Sequence, residues 1–189
     1  MLGAVATAWG SQSPAERAYA AGAAGERQVS EALRRAVDGS GQVLNSRRPG
    51  VHAQRGDIDH IVVCPTGVWV VDAKNYRNHT ISTSRGLFGK SSELRVGGRD
   101  RTALVESVHR QAAVVTQALH SHGFTLEAAP VLCFAAATGL GLSGRRTVDG
   151  VIVTRASRVH RVLTGTPRID ADTVTHVTRL LNAVFPPVF

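Results

Sequence analysis

Two apolar runs with a short turn between them dominate the hydrophobic pattern of the chain. The runs are Ile61-Val62-Val63 and Val68-Trp69-Val70-Val71, and Pro65-Thr66-Gly67 separates them. Runs of β-branched and aromatic residues bounded by turn residues are typical of a β-hairpin. Because both runs are nearly continuous rather than alternating, we predict two strands that are covered on both faces.

Patterns with helical spacing flank this hairpin. Ser13-Pro14-Ala15-Glu16 has the form of a capping box, and Val29, Leu33 and Val37 follow at helical spacing. We therefore predict a helix from the box to about residue 37. Further helices are predicted to begin at the capping residues Asp100 and Asp170. Shorter apolar runs predict strands at 42–45, 80–83, 93–96, 130–137 and 151–154.

The order of these elements predicts an α/β (α+β) domain with one mixed sheet. A length of 189 residues suits one domain with a real core. We expect residues 1–12 to be a flexible N-terminal arm and residues 13–189 to form a single domain. A composition with 43% hydrophobic and 19% charged residues is that of a folded protein.

Charge and cysteine content narrow the function classes. A net charge of +8 suits a polyanionic partner such as nucleic acid, although a codon bias towards arginine explains it equally well. Cys64 and Cys133 lie inside apolar runs, which indicates reduced thiols rather than a disulfide framework or a cysteine zinc site. No run is long enough to cross a bilayer, so we expect a cytoplasmic protein without membrane contact.

Charged residues gather at the open end of the hairpin. Asp59 lies at the start of the first strand, and Asp72 and Lys74 end the second. Residues i and i+2 of a strand point to the same face, so Asp72 and Lys74 project together. If the turn pairs Val63 with Val68, Asp59 lies opposite Asp72, whereas a register shifted by one residue points it away.

These residue types suit the hydrolysis of phosphodiester bonds with the help of a metal. Carboxylates hold Mg²⁺ or Mn²⁺, which orients a water molecule and neutralises charge on the phosphate. A lysine positions or deprotonates that water, or stabilises the developing anion. Glu26 lies on the apolar stripe of the first helix, three residues before Val29. It either completes the acidic cluster or is solvated at the edge of the stripe.

Three segments together resemble the nuclease-related domain (NERD), which is grouped with the PD-(D/E)xK nuclease superfamily. They are Gly25-Glu26, Gly56-Asp57-Ile58-Asp59-His60-Ile61-Val62-Val63, and Gly67-Val68-Trp69-Val70-Val71-Asp72-Ala73-Lys74-Asn75-Tyr76. The resemblance covers about residues 23–119 and, more loosely, the chain to residue 163. It implies a restriction-endonuclease-like core, which is a mixed central sheet flanked by helices.

The resemblance also implies roles for individual residues. Asp59 and Asp72 would be metal ligands, Lys74 the catalytic lysine, and Glu26 an accessory catalytic acid and metal ligand. Position 72 departs from the family, in which glutamate is more frequent, and the shorter side chain changes the reach by one methylene. Gln111 falls in the helix where such domains often place a glutamine that contacts nucleic acid.

The sequence thus predicts a Mg²⁺- or Mn²⁺-dependent nuclease that acts on DNA. Arg47, Arg48 and Arg55 either contact phosphates or belong to a solvated surface, and the same holds for Arg145 and Arg146. The competing interpretations are a nucleic-acid-binding or adaptor domain without catalysis, and a structural domain with solvated charges.

Overall fold

The computed structural model describes residues 13–49, 56–85, 91–141 and 144–188. The predicted arm at 1–12 and the predicted phosphate contact at Arg55 lie outside the described residues. The four α-helices of this part are α1 (Pro14–Val37), α2 (Thr102–Ser121), α3 (His160–Leu163) and α4 (Ala171–Val184), and a 3-10 turn covers Ala156–Arg158. None of these helices is both long and apolar enough to span a membrane.

The described residues contain ten strands in two sheets. They are β1 (Gln42–Arg47), β2 (Ile58–Cys64), β3 (Gly67–Lys74), β4 (Thr80–Arg85), β5 (Ser91–Val96), β6 (Arg99–Asp100), β7 (Ala128–Phe134), β8 (Thr138–Gly139), β9 (Arg145–Val148) and β10 (Val151–Arg155). Six strands form the central sheet in the order β1-β2-β3-β7-β10-β9. Its β3-β7 and β7-β10 pairs are parallel and the other pairs are antiparallel.

The predicted hairpin is present, and its register settles the alternative left open by the sequence. Val63 pairs with Val68 and Ile61 pairs with Val70. Continuing this antiparallel register by one pair on the same face places Asp59 opposite Asp72. The acids therefore lie together at the open end of the hairpin.

Helical layers cover both faces of the central sheet. Val29 and Leu33 of α1 pack, together with residues of α3, on the face that carries Val62 and Val71. The opposite face is covered by α2 and α4, whose buried residues join Val70 and Leu132 in a larger core. A mixed sheet between two helical layers is an α/β architecture consistent with a restriction-endonuclease-like fold.

The structure has a second sheet beside the central one, whereas the sequence predicted a single mixed sheet. It has four strands in the order β6-β5-β4-β8. The chain enters this sheet just after β3 and again just after β7, so the sheet lies beside the carboxyl ends of these two strands. Ile81, Leu94 and Val96 are its buried positions, and they join the core beneath α2. These few apolar side chains reach the core from beside the central sheet, a tertiary arrangement that strand patterns do not encode.

The local helix signals agree with the structure with one shift. Ser13 and Glu16 form the predicted capping box, in which the Glu16 carboxylate accepts from the Ser13 amide at 2.7 Å. Asp170 caps α4 by accepting from the Thr173 amide at 2.7 Å. The cap position of α2 is Arg101 rather than Asp100, although the Asp100 carboxylate still accepts from the Thr102 amide at 2.8 Å.

Candidate functional site

The first feature of the site is the contact between the two strand ends that carry the acids. The backbone amide of Ala73 donates to Asp59 Oδ2 at 2.8 Å. The regular β2–β3 ladder reaches only to the His60–Val71 pair. The Asp59 carboxylate therefore takes up a backbone donor of β3 just beyond the ladder and is held beside Asp72.

The second feature is an ion pair at the end of β3. Lys74 Nζ donates to Asp72 Oδ1 at 2.6 Å. Asp72 is almost completely buried, at 2% exposure, whereas 28% of the Lys74 side chain is accessible. The carboxylate is therefore inside the protein, and the ammonium group forms the boundary with solvent.

The pKa of the Asp59 carboxyl is raised, so this group is protonated near neutral pH. Burial, followed by the negative charge of Asp72 and a hydrogen bond to it, raises the pKa of Asp59 to about 8. Lys74 and the Ala73 amide act in the opposite direction and only partly offset this rise. Two carboxylates in contact in a poorly solvated place do not both ionise easily.

Lys74 is a firmly held cation. Burial is the largest single influence and lowers the pKa of its ammonium group, but the combined attraction of Asp72, Asp59 and Tyr76 outweighs burial and raises the pKa. Lys74 thus remains charged at neutral pH.

The donor set fits a hard divalent cation. Mg²⁺ in proteins is commonly held by one or two carboxylates and completes its shell with water and substrate phosphate. Asp59 and Asp72 supply two neighbouring carboxyl groups, and the negative charge of Asp72 contributes to the raised pKa of Asp59. A divalent cation relieves this repulsion, so these two residues could hold Mg²⁺ or Mn²⁺.

A close approach of α1 fixes the open end of β3. Asn75 Nδ2 donates to the Ala21 carbonyl at 2.6 Å, and a Cβ atom on Gly25 would come within 2.6 Å of the Asn75 Cβ. Gly25 is therefore required where helix and strand end meet. In the sequence, Gly25 stood out only as part of a motif, because this contact joins residues distant in the chain.

Glu26 does not join the two acids. It is half-buried and lines a cavity together with His60 and Asn45. His60 is buried on the side of β2 that faces α1. Its Nδ1 lies 2.9 Å from Asn45 Oδ1. Among the described residues no three His, Cys, Asp or Glu side chains lie close enough together to hold a metal. The metal-ligand role predicted for Glu26 therefore has no support in this geometry.

His60 alternates away from Asp59 along β2, and its ring contacts Asn45. The amide oxygen of Asn45 only accepts, so the His60 ring carries its proton on Nδ1. Ser30 Oγ donates to the same oxygen at 2.9 Å. Burial, followed by the nearby charge of Arg34, lowers the pKa of His60 to about 4.

The phosphate contact predicted for Arg47 is corrected by its position. Arg47 is buried, and its Nη1 donates to Asn182 Oδ1 at 2.9 Å and to the Phe185 carbonyl at 3.3 Å. The physical reason is local. Ser46 has a positive φ of 46°, which interrupts the alternation of β1 and turns Arg47 towards the α4 layer, where Leu44 also packs.

The other predicted nucleic-acid contacts have different positions. Arg48 is exposed, as are Arg145 and Arg146 on β9. Gln111 is half-buried on α2, and its Oε1 is buried without a hydrogen-bond partner in the described structure. Arg48 and Gln111 thus stay predictions.

Two residues beside the site escaped the sequence reasoning. Tyr76 packs against Phe134 with ring centroids 5.9 Å apart, and the guanidinium carbon of Arg101 lies 5.8 Å from the Tyr76 ring centroid. Tyr76 was visible only as the end of a motif. Arg101 had no signal beyond its charge, because only the second sheet brings it next to Tyr76.

Comparison with known proteins gives one family. The family model of the nuclease-related domain matches residues 21–135. This range contains most of α1, the hairpin with its acids, most of the second sheet, α2 and β7. Neither the curated proteins nor the solved structures include a match to the chain. Since the matched range covers more than half of the sequence, the chain belongs to the nuclease-related domain family.

Proposed function

We propose that this protein is a metal-dependent nuclease that hydrolyses phosphodiester bonds of DNA, with Asp59 and Asp72 holding Mg²⁺ or Mn²⁺. The observation that carries the proposal is the position of these two acids opposite each other on adjacent strands, where the Ala73 amide holds Asp59 and Lys74 holds Asp72. A structural domain gains nothing from two carboxylates that repel each other in a poorly solvated place. A cation site explains their retention.

Lys74 acts in this proposal as a fixed positive charge. A bound divalent cation supplies Lewis acidity and orients a water molecule for attack. Because the pKa of Lys74 is raised, its ammonium group stays protonated and is suited to stabilising negative charge on the phosphate. The Asp72 contact at 2.6 Å orients this group, so Asp72 both binds metal and positions Lys74.

The excess of basic residues supports nucleic acid as the substrate. The net charge of +8 attracts a phosphate backbone, and the exposed Arg48 and the half-buried Gln111 are proposed substrate contacts. We propose that the protein acts in the cytoplasm.

A second candidate function is a nucleic-acid-binding or adaptor domain that does not cleave. Two observations favour it. In the part of the chain that the structure describes, the site has two neighbouring acids rather than three, and position 72 carries the shorter aspartate. Fewer ligands that reach less far hold a cation less firmly.

A cleavage assay separates the two candidates. Wild-type protein, Asp72→Asn and Lys74→Met would be incubated with supercoiled plasmid and with a labelled single-stranded oligonucleotide, in Mg²⁺, Mn²⁺ or chelator. We expect metal-dependent cleavage by the wild type and a loss on the order of 100-fold or more in both variants. Asp172→Asn is the matched control, because Asp172 is an exposed acid at the opposite end of the molecule, near the hairpin turn.

The outcomes are distinct. Cleavage that persists equally in Asp72→Asn and Lys74→Met refutes the site. Binding without cleavage in saturating metal favours the adaptor function.

Glu26→Gln tests whether the site has two acids or three. The change keeps the shape of the side chain and removes its charge. Because Glu26 lines the cavity near His60 and not the Asp59–Asp72 contact, we expect the activity to stay within about threefold of the wild type, within ordinary surface effects. A loss as large as that of Asp72→Asn would restore Glu26 to the set of metal ligands.

A further inference from the structure

A chain of contacts leads away from Lys74 towards the second sheet. Lys74 pairs in register with Phe134, and the ring of Tyr76 packs on Phe134. The guanidinium group of Arg101 then lies over the Tyr76 ring. Along this chain, two aromatic residues, Phe134 and Tyr76, separate Arg101 from Lys74 at the solvent boundary of the site.

The backbone of Arg101 is held firmly. Its amide donates to the carbonyl of Leu94 at 2.7 Å, and Leu94 is fully buried. The next residue, Thr102, begins α2. Arg101 therefore sits at a fixed junction between the second sheet and α2, and only its side chain is adjustable.

Arg101 also lacks an anionic partner. The nearest acid in the sequence, Asp100, is committed to Thr102, whose amide and hydroxyl both donate to Asp100 Oδ1. Within the described ranges Arg101 forms no ion pair, and its Nε atom is buried without a hydrogen-bond partner. Arg95 on β5 differs, because it contacts Glu93 at 3.4 Å. A half-buried cation that no carboxylate neutralises is available to an anionic ligand.

We propose that Arg101 is a positioning residue that binds a backbone phosphate of the substrate next to the phosphate at Lys74. This inference rests on the proposed nuclease function. Guanidinium groups match phosphate oxygens with two parallel hydrogen bonds, and an aromatic ring beneath the group keeps its plane oriented. A phosphate contact carries no base information, so the contact should serve all sequences alike.

Binding to labelled oligonucleotides without metal tests this role separately from cleavage. Fluorescence anisotropy would be measured in chelator over a series of KCl concentrations, with single-stranded and duplex DNA. Removal of one phosphate contact should weaken binding and reduce the slope of log affinity against log salt by about one. We expect this change in Arg101→Gln.

Two further variants control for charge and for folding. Arg101→Lys keeps the charge but loses the planar group, so it should keep the salt slope while binding more weakly. Arg35→Gln removes an exposed arginine near the carboxyl end of α1. The Arg35 guanidinium forms an exposed ion pair with Glu31 at 3.8 Å, so this variant should bind DNA like the wild type. Urea unfolding of each variant measures whether the substitution lowers the free energy of unfolding, as loss of the contact between Arg101 and Tyr76 could do.

The results that overturn the inference are specific. An unchanged salt slope in Arg101→Gln, a slope lost equally in Arg101→Lys, or no nucleic-acid binding by the wild type would each refute it. In the cleavage assay, Arg101→Gln should raise KM more than it lowers kcat. Wild-type protein that binds with the predicted slopes but never cleaves would refute the proposed function alone. Metal-dependent cleavage with an unchanged KM in Arg101→Gln would refute the inference alone.

Discussion

Replacement of Asp59 with asparagine should remove a distinct part of the pH dependence of stability in the metal-free protein. In the folded state the pKa of Asp59 is raised to about 8, whereas an unperturbed aspartate has a value of 3.8. Between these values the folded protein holds a proton that the unfolded chain has released. The free energy of unfolding must therefore decrease as the pH rises, and the proton-linked stabilisation is lost as the pH passes through about 8.

The size of the effect follows from proton linkage. One site contributes up to about 1.36 kcal/mol per pH unit. Between pH 6.5 and 8 the folded Asp59 begins to titrate, which reduces the integrated loss to about 1.5 kcal/mol. His60 acts in the opposite direction at lower pH. Because its pKa is lowered to about 4 from 6.5, it increases stability as the pH rises through that window. At pH 6.5 half of the unfolded chains still carry a proton on His60, so about 0.4 kcal/mol of this opposing contribution remains above that pH and is removed by comparing the variant with the wild type.

Asparagine reproduces the protonated form of Asp59. Its Oδ1 can accept from the Ala73 amide, and its Nδ2 can donate to Asp72. Urea unfolding in chelator would be followed at several pH values between 6.5 and 8. The stability of Asp59→Asn relative to the wild type should rise by about 1.5 kcal/mol across this range, since the contribution of His60 cancels in the difference.

Asp172→Asn is again the control and should run parallel to the wild type. A constant difference between Asp59→Asn and the wild type would refute the reasoning, because it would show that the pKa of Asp59 is not raised in the folded protein. Added Mg²⁺ should raise the stability of the wild type at pH 8 and leave that of Asp59→Asn unchanged, since a ligand that binds only the folded state stabilises it.

Two matched pairs of substitutions test the supports of the site through urea unfolding. Gly25→Ala should destabilise the protein by about 1–3 kcal/mol, because the new Cβ meets Asn75 at 2.6 Å, whereas Gly22→Ala has open space and should stabilise α1 by about 0.5–1 kcal/mol. Equal effects at the two glycines would contradict the close approach. Arg47→Met should cost about 1–3 kcal/mol, because it removes the donor to the buried Phe185 carbonyl and to the exposed Asn182 side chain, while Arg48→Met at the exposed neighbour should stay within about 0.5 kcal/mol. If Arg47→Met were as stable as the wild type, the buried position and hydrogen bonds of Arg47 would be contradicted.

The hairpin and its acids could be predicted because their signals are local. The turn at Pro65-Thr66 and the flanking β-branched residues determine which strands pair, and the register then places Asp59 opposite Asp72. The capping box at Ser13 and the cap at Asp170 are local in the same sense. The match of the nuclease-related domain over residues 21–135 confirms the family that the motifs indicated.

The remaining features depend on contacts that no local pattern encodes. The apolar stripe of α1 placed Glu26 on the face towards the sheet, but the direction of its carboxylate depends on how α1 crosses β2. The positive φ of Ser46 turns Arg47 inwards. Serine rarely adopts a positive φ, so the sequence contains no sign of this turn. The separation of β4, β5, β6 and β8 into a second sheet likewise depends on packing against α2.

The hairpin also has a consequence for the order in which the protein folds. Asp59 and the Ala73 amide are 14 residues apart, whereas the contact from Gln28 to the Ala135 carbonyl spans 107. Because local contacts tend to form before distant ones, we expect the two acids to meet while the hairpin is still hydrated and their repulsion is weak. We then expect Asp59 to take up its proton late, when α1 and α2 close over the sheet. A rise in pH should therefore accelerate unfolding much more than it slows folding.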